Sequence, residues 1–151
     1  MEIIDLLDKI SFFSTFAARD KKRIAEMPQT FVRYDKDELI IQQGSMGTAF
    51  FVLIRGQVHI IKEEQPNTIL ATLKTGAVVG EMAFLTKGIR VTSVMAAENG
   101  VVVMKLTDQI LEKLGSEIRE KIKDQLILLL VERVDNMNKA LLRHNTNEKM
   151  G

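Results

Sequence analysis

Gly80-Glu81-Met82-Ala83-Phe84-Leu85-Thr86-Lys87-Gly88-Ile89-Arg90-Val91-Thr92-Ser93 is the stretch on which the reading of this chain turns. It follows a strand-like apolar pair, Val78-Val79. Residues 81–85 are good helix formers over about one turn, and Gly88 ends that turn. Arg90 opens the next extended run. The order is strand, glycine, helical turn, then an arginine returning to the place where the turn began. A helix N-terminus offers free backbone N–H groups and the positive end of the peptide dipoles, and both favour an anion. Gly80 lacks a Cβ, so a ligand can approach the backbone closely. Arg90 adds a planar fork of donors that suits a phosphate. Glu81 is the odd member, since a carboxylate repels an anion. It makes sense if the ligand also donates a hydroxyl and if Arg90 offsets the charge. A ribose phosphate has both groups.

Around this stretch, from Phe31 to Leu106, short runs rich in Val, Ile, Phe and Thr alternate with turn residues. The runs are Thr30–Arg33, Glu38–Gln42, Ala49–Arg55, Gln57–Glu63, Thr68–Leu73, Arg90–Ala97 and Gly100–Lys105. Turn signals recur about every 8–12 residues, which predicts an antiparallel sandwich or barrel. Pro66-Asn67 reads as one turn, and Asn99-Gly100 is the strongest hairpin signal.

Helical spacing flanks this region on both sides. Ile3, Ile4, Leu7 and Ile10 recur at three and four, and Ser14 or Thr15 can cap a second helix through Arg23 and Ile24 that Pro28 closes. Thr107-Asp108 can cap a short helix through Leu114, which Gly115 stops. Ser116 then caps a long helix predicted to reach about Arg143, roughly 40 Å at 1.5 Å per residue. It carries two apolar stripes. One is Ile118, Ile122, Leu126 and Leu129. The other, Ile127, Leu130, Val134, Met137 and Leu141, keeps the 3,4,3,4 spacing of a coiled-coil seam. A lone helix has one core to face, so the second stripe predicts a homodimer through the C-terminal helix. The expected divisions are N-terminal helices at 1–28, the β-region at 29–106 with the decisive stretch at 80–93, helices at 107–144 and a frayed tail at 145–151.

Composition narrows the chemistry. The 151 residues are 46% hydrophobic and 27% charged, ordinary for a packed domain. Lys+Arg 21 against Asp+Glu 20 leaves +1, which gives no electrostatic case for nucleic acid or an anionic membrane. With no cysteine there is no disulfide, thiolate metal site or cysteine nucleophile. The two histidines, His59 and His144, stand far apart, so no His-rich metal site and no metal are expected. The acidic start MEIIDLLDKI lacks the basic opening of a signal peptide. The longest apolar run, Leu126 to Val131, is far below the roughly 20 residues of a membrane span. A cytoplasmic protein without a membrane partner is expected.

The segment GEMAFLTKGIRVTSV resembles the phosphate-binding cassette of cyclic-nucleotide-binding domains, whose usual form is close to G-E-[LI]-[AG]-L-x-x-x-x-P-R-[AT]-A-[TS]-V. The glycine-to-arginine spacing matches without a gap. Ile40 to Val58 is similar to the family's glycine-punctuated strands, and Leu73 to Glu81 to its run into the cassette. Together these cover roughly residues 28–106, and the flanking helices fit the family layout. The resemblance implies an α+β fold: an antiparallel, jelly-roll-like β-roll flanked by N-terminal helices and a long C-terminal lid helix. It implies that Arg90 pairs with a cyclic phosphate, that Glu81 accepts the ribose 2′-hydroxyl and that Gly80 permits close approach. The Met82, Ala83 and Val91 amides would donate to phosphate and sugar, and Thr92 or Ser93 would line the pocket. Gly44, Gly47 and Gly56 would shape turns. In dimeric transcription activators of the family, polar residues of the long helix reach the base, which makes Asn136 a candidate lid contact. Ordinary surface or register-setting polarity is the slightly preferred reading of Asn136 and Asn138.

Three positions depart from the pattern. Ile89 replaces a proline, so Arg90 is less rigidly presented. Thr48 stands where an acidic residue often follows the glycine. Val91 stands where members preferring cGMP commonly have threonine; valine offers guanine no hydrogen bond, which favours cAMP. The expected function is a non-enzymatic sensor that binds cAMP or cGMP, needs no cofactor and signals through its long helix. One alternative is the sensor fragment of a Crp/Fnr-type transcription regulator. About eight residues beyond the expected helix end are too few for a helix-turn-helix domain, so DNA is not an expected partner of this chain alone. A second alternative is a ligand-free dimerisation module in which Arg90 is a surface residue paired with Glu81. A cupin-like metal enzyme is disfavoured, since only His59 is available as a histidine ligand in the strands.

Overall fold

The computed structural model describes residues 2–150, with side chains for all of these except Pro28 and 145–150. Helices α1 (Ile3–Asp8) and α2 (Ala18–Ala25) precede strands β1 (Phe31–Tyr34), β2 (Leu39–Ile41), β3 (Ala49–Arg55), β4 (Gln57–Lys62), β5 (Gln65–Lys74) and β6 (Val78–Val79). Helix α3 (Glu81–Thr86) interrupts the strands, which resume as β7 (Ser93–Ala96) and β8 (Val101–Thr107). Helices α4 (Asp108–Leu114) and α5 (Ser116–Met150) follow. Two four-stranded antiparallel sheets, ordered β1-β8-β3-β6 and β2-β7-β4-β5, face each other as a β-roll.

Strand β3 shows why the segment AFFVLI does not alternate apolar with polar. Successive strand side chains point to opposite faces, and here both faces are covered. Phe50, Val52 and Ile54 pack under the helices with Leu7, Phe13, Ile24, Met104 and Ile122. Ala49, Phe51 and Leu53 fill the space between the sheets with Ile41, Val58, Val79, Val94 and Val103. The two stripes of α5 separate as their spacing predicts. Ile118, Ile122 and Leu126 are buried and Leu129 packs against the same core, whereas Ile127, Val134, Met137 and Leu141 are exposed.

Several local expectations are corrected. Asn99-Gly100 does not close a hairpin, because β7 and β8 belong to different sheets. It turns the chain from one sheet to the other. Asn99 Oδ1 accepts from the Lys36 N–H at 3.0 Å, and the Gly100 N–H donates to Asp35 Oδ1 at 3.1 Å. Pro66-Asn67 is not a turn: β4 and β5 pair as close to the bend as Lys62 and Gln65, and Pro66 lies inside β5. A proline is tolerated there because β5 is an edge strand whose outer side needs no ladder donor. Neither Ser14 nor Thr15 caps α2. Residues 11–13 form a separate 3₁₀ turn, and the Asp20 carboxylate accepts from the N–H of the true N-cap, Ala17, at 3.0 Å. Finally, α5 continues as helix to Met150, past the predicted end at Arg143, so the expected frayed tail is helical in its backbone; Gly151 lies outside the described residues.

Asp20 also fastens α2 to α5. It is 4% exposed and accepts from Lys121 Nζ at 2.5 Å. The Lys121 hydrogen bond, with help from the Ala17 N–H and against the cost of burial, holds its carboxyl below the ordinary value of 3.8. A depressed folded-state pKa contributes stability that is full above the unfolded-state pKa and is lost as pH falls through the folded one. Asp20→Asn is expected to destabilise the protein by about 2 kcal/mol at pH 7. It should also flatten the loss of stability below about pH 4, as measured by urea unfolding at a series of pH values.

Candidate functional site

The decisive stretch folds as strand β6, Gly80, helix α3 and an irregular return through Arg90 to β7. Gly80 is the N-cap of α3 at φ +79°, a left-handed conformation that favours glycine. A Cβ there would lie 2.5 Å from Arg90 Nη1 and 2.8 Å from Ile41 Cδ1. The backbone angle favours glycine here, and a Cβ would displace the ends of the Arg90 and Ile41 side chains. Arg90 does not begin a strand as its run predicts, because β7 starts at Ser93. Its backbone is fixed instead by the loop after β2. The Gly44 N–H donates to the Arg90 carbonyl, the Arg90 N–H to the Ser45 carbonyl and the Gly47 N–H to the Gly88 carbonyl, each at 2.8 Å. Ile89 pairs with Met46 across the same loop. This ladder holds the arginine where the family's usual form relies on a proline. Gly47 does more than turn the chain: a Cβ on it would come within 2.7 Å of the Ala83 Cβ and closer still to the Ala83 carbonyl.

A cavity of about 550 Å³ lies beside α3, within the usual range of small-molecule sites. Its apolar wall includes Ile41, Ile60, Leu73, Val78, Val79 and Val94. Gly80, Glu81, Met82, Ala83, Arg90, Val91 and Thr92 all line it. Ser93 does not; it is buried, and its Oγ accepts from the Gln43 N–H at 2.9 Å. Met82 and Val91 are largely exposed at the mouth. His59 sits in β4 opposite Met95 and Thr72, away from the cavity. Asn136 is exposed and is not on the cavity wall.

Arg90 is 7% exposed, so it is not a surface arginine. Its Nη1 donates to the Gly80 carbonyl at 2.6 Å and its Nη2 to the Ala49 carbonyl. No carboxylate forms an ion pair with it among the described residues, and burial pulls its pKa below the ordinary guanidinium value. Glu81, 2% exposed, is not its partner. It pairs with Arg133 of α5, whose Nη2 also donates to the Val78 carbonyl at 3.3 Å. Arg133 was not singled out from the sequence, although the signal was there. The stripe Ile118, Ile122, Leu126, Leu129 continues at the next helical step to residue 133, and the base at that position meets the buried acid of the cassette. Among the described residues, no cluster of three or more His, Asp or Glu is placed to hold a metal, and no helix is long and apolar enough to cross a membrane.

The model of the cyclic nucleotide-binding domain family matches residues 31–117. A cGMP-dependent protein kinase of Caenorhabditis briggsae is 32% identical over 127 residues, covering 82% of this chain and 17% of the kinase. The chain thus spans less than a fifth of that relative. A cyclic nucleotide-binding domain from Methylobacillus flagellatus superposes with a TM-score of 0.70 at 21% identity, over 93% of this chain and 80% of that one. The Thermus thermophilus catabolite activator protein gives 0.70 at 24% identity, over 86% and 61% of the two chains. These two likenesses show the β-roll fold.

The Glu81–Arg133 pair ties α5 to the cassette, so the two side chains should be energetically coupled. A double-mutant cycle with Glu81→Gln and Arg133→Met, followed by denaturant unfolding, is expected to give a coupling of about 1 kcal/mol or more. Arg133→Met alone should be the more destabilising partner change, because it strands a buried carboxylate.

Proposed function

Since the chain belongs to the cyclic nucleotide-binding domain family, we propose that its cavity binds a cyclic nucleotide, cAMP in preference to cGMP, and that the domain is a regulatory, non-catalytic unit of the cytoplasm. The observation that carries this reading is Arg90: a buried guanidinium on the wall of a ligand-sized cavity, with no carboxylate to compensate it among the described residues. A buried charge is expensive without an opposite charge, and a cyclic phosphate supplies one. The phosphate takes the Arg90 fork and the first amides of α3, at Met82 and Ala83, together with the Val91 amide. Gly80 leaves room for the ring, and the ribose 2′-hydroxyl donates to Glu81. Thr92 completes the polar wall. Val91 offers no hydrogen bond to guanine, hence the preference for cAMP.

Transmission runs through Arg133. The ligand hydroxyl and the Arg133 guanidinium both need Glu81, so loading the cavity changes the tie that holds α5. On either side of that tie α5 exposes Ile127, Val134, Met137 and Leu141. Ile127 and Val134 fall at the a positions of the seam, with Leu130 and Met137 at d. β-branched residues at a with unbranched-Cβ residues such as Leu at d favour a parallel two-stranded coil, so the helix is read as the dimer contact that responds to ligand. A second reading is a dimerisation module that has dispensed with ligand. It is favoured by the internal partners that Arg90 and Glu81 already have.

Calorimetry decides between the two. Wild-type protein is expected to bind cAMP more tightly than cGMP. Arg90→Ala should weaken cAMP binding by about 3 kcal/mol, roughly a hundredfold. Absence of binding to the wild type, or an unaltered Kd in the variant, overturns the ligand assignment. Independently, sedimentation should give a dimer for the wild type and a monomer for Val134→Glu, while the circular dichroism of the β-roll is unchanged.

A further inference from the structure

The cavity wall carries five polar side chains: Glu81, Thr86, Arg90, Thr92 and Arg133. Four of them are already engaged inside the protein. Glu81 and Arg133 hold each other, and Arg133 also donates to the Val78 carbonyl. Arg90 donates to the carbonyls of Gly80 and Ala49. Thr86 Oγ1 donates to the Met82 carbonyl at 2.9 Å, closing a turn of α3. Thr92 alone among them makes no side-chain hydrogen bond to any described residue, although it is half-buried. Its next neighbour, Ser93, has the same chemistry but spends its hydroxyl on the Gln43 N–H. The rest of the wall is glycine or apolar side chains, including Ile60, Val79 and Val94. A hydroxyl against such a wall is left free for water or for whatever ligand displaces that water from the cavity.

Its position selects the part of the ligand. Thr92 is two residues beyond Arg90, a separation that spans at most about 7 Å of backbone. A ligand anchored through its phosphate on Arg90 carries its base across one sugar ring, into that reach. The sugar edge is already assigned to Glu81 on the opposite end of the cassette. Resting on the cyclic-nucleotide reading above, we infer that Thr92 Oγ1 is the side chain that hydrogen-bonds the purine base. It is thereby a determinant of affinity separate from the phosphate and ribose contacts. A hydroxyl both donates and accepts, so it can take the exocyclic amine of adenine as donor. Valine at position 91 leaves this role to position 92.

The test uses the full chain and three side chains at position 92: the native threonine, Thr92→Val, which keeps the shape and deletes only the hydroxyl, and Thr92→Ser, which keeps the hydroxyl. Each is titrated calorimetrically with cAMP and with ribose 3′,5′-cyclic phosphate, which has no base. Thr92→Val is expected to weaken cAMP about tenfold, Thr92→Ser to stay within about twofold of the wild type, and the base-free compound to bind all three alike. Equal cAMP affinity in the wild type and Thr92→Val overturns the assignment. So does a parallel loss for cAMP and the base-free compound, which would put the hydroxyl on the phosphate or sugar. If the wild type binds cAMP but not the base-free compound, equal loss of cAMP in the serine and valine variants overturns it as a packing effect. Failure of the wild type to bind either compound is a different result, and it removes the cyclic-nucleotide reading itself.

Discussion

One buried cation organises the site. Arg90 has left water, and what holds it is backbone: the carbonyl of the glycine that opens the cassette and the carbonyl of Ala49 at the start of β3. Carbonyl dipoles satisfy the donors of a guanidinium but do not neutralise it. Everything nearby is arranged around that residual charge. Gly80 must lack a side chain for the guanidinium to lie where it does, and the loop at 44–47 must come close enough to pin the arginine's own backbone. The nearest buried acid is diverted to the long helix. The outcome is an uncompensated positive pole on a largely apolar wall, set before any ligand arrives.

The same diversion links site and helix. Glu81 would be costly to bury alone, and the residue that compensates it comes from α5 rather than from the cassette. One acid therefore stands between the cavity and a helix that exposes an apolar stripe. The Asp20–Lys121 contact fixes the N-terminal half of α5 to the body, and Arg133 ties the helix again beside the cassette.

Much of this was legible in the sequence, for reasons that can be named. The cassette was readable because its requirements are local: a glycine, a helical turn and an arginine at a fixed distance. The stripes of α5 were readable because helical periodicity reports directly which residues share a face. Asn99-Gly100 misled because a dipeptide specifies a turn, not which strands it joins; here it bends the chain between sheets. Pro66 misled because the tolerance of an edge strand for proline depends on topology that no local pattern contains. The Glu81–Arg133 pair joins residues from distant parts of the chain, and the arginine was hidden as a polar interruption at the end of an apolar stripe. Asn136 offered only polarity on an exposed stretch of helix, and polarity alone does not separate a ligand contact from ordinary surface.

Strand β3 has a consequence for how the cassette is supported. Even-numbered residues serve one interior and odd-numbered residues the other. Phe50 packs against Phe84 with the rings tilted and their centroids 5.1 Å apart, and so braces α3 from beneath. Phe51, next along the chain, lies opposite Val79 in the ladder, and Val79 is part of the cavity floor. Parity along a single strand thus decides whether a lost methylene is felt as a sagging helix or as a deeper floor. Two adjacent phenylalanines act as independent props under the two halves of one binding surface.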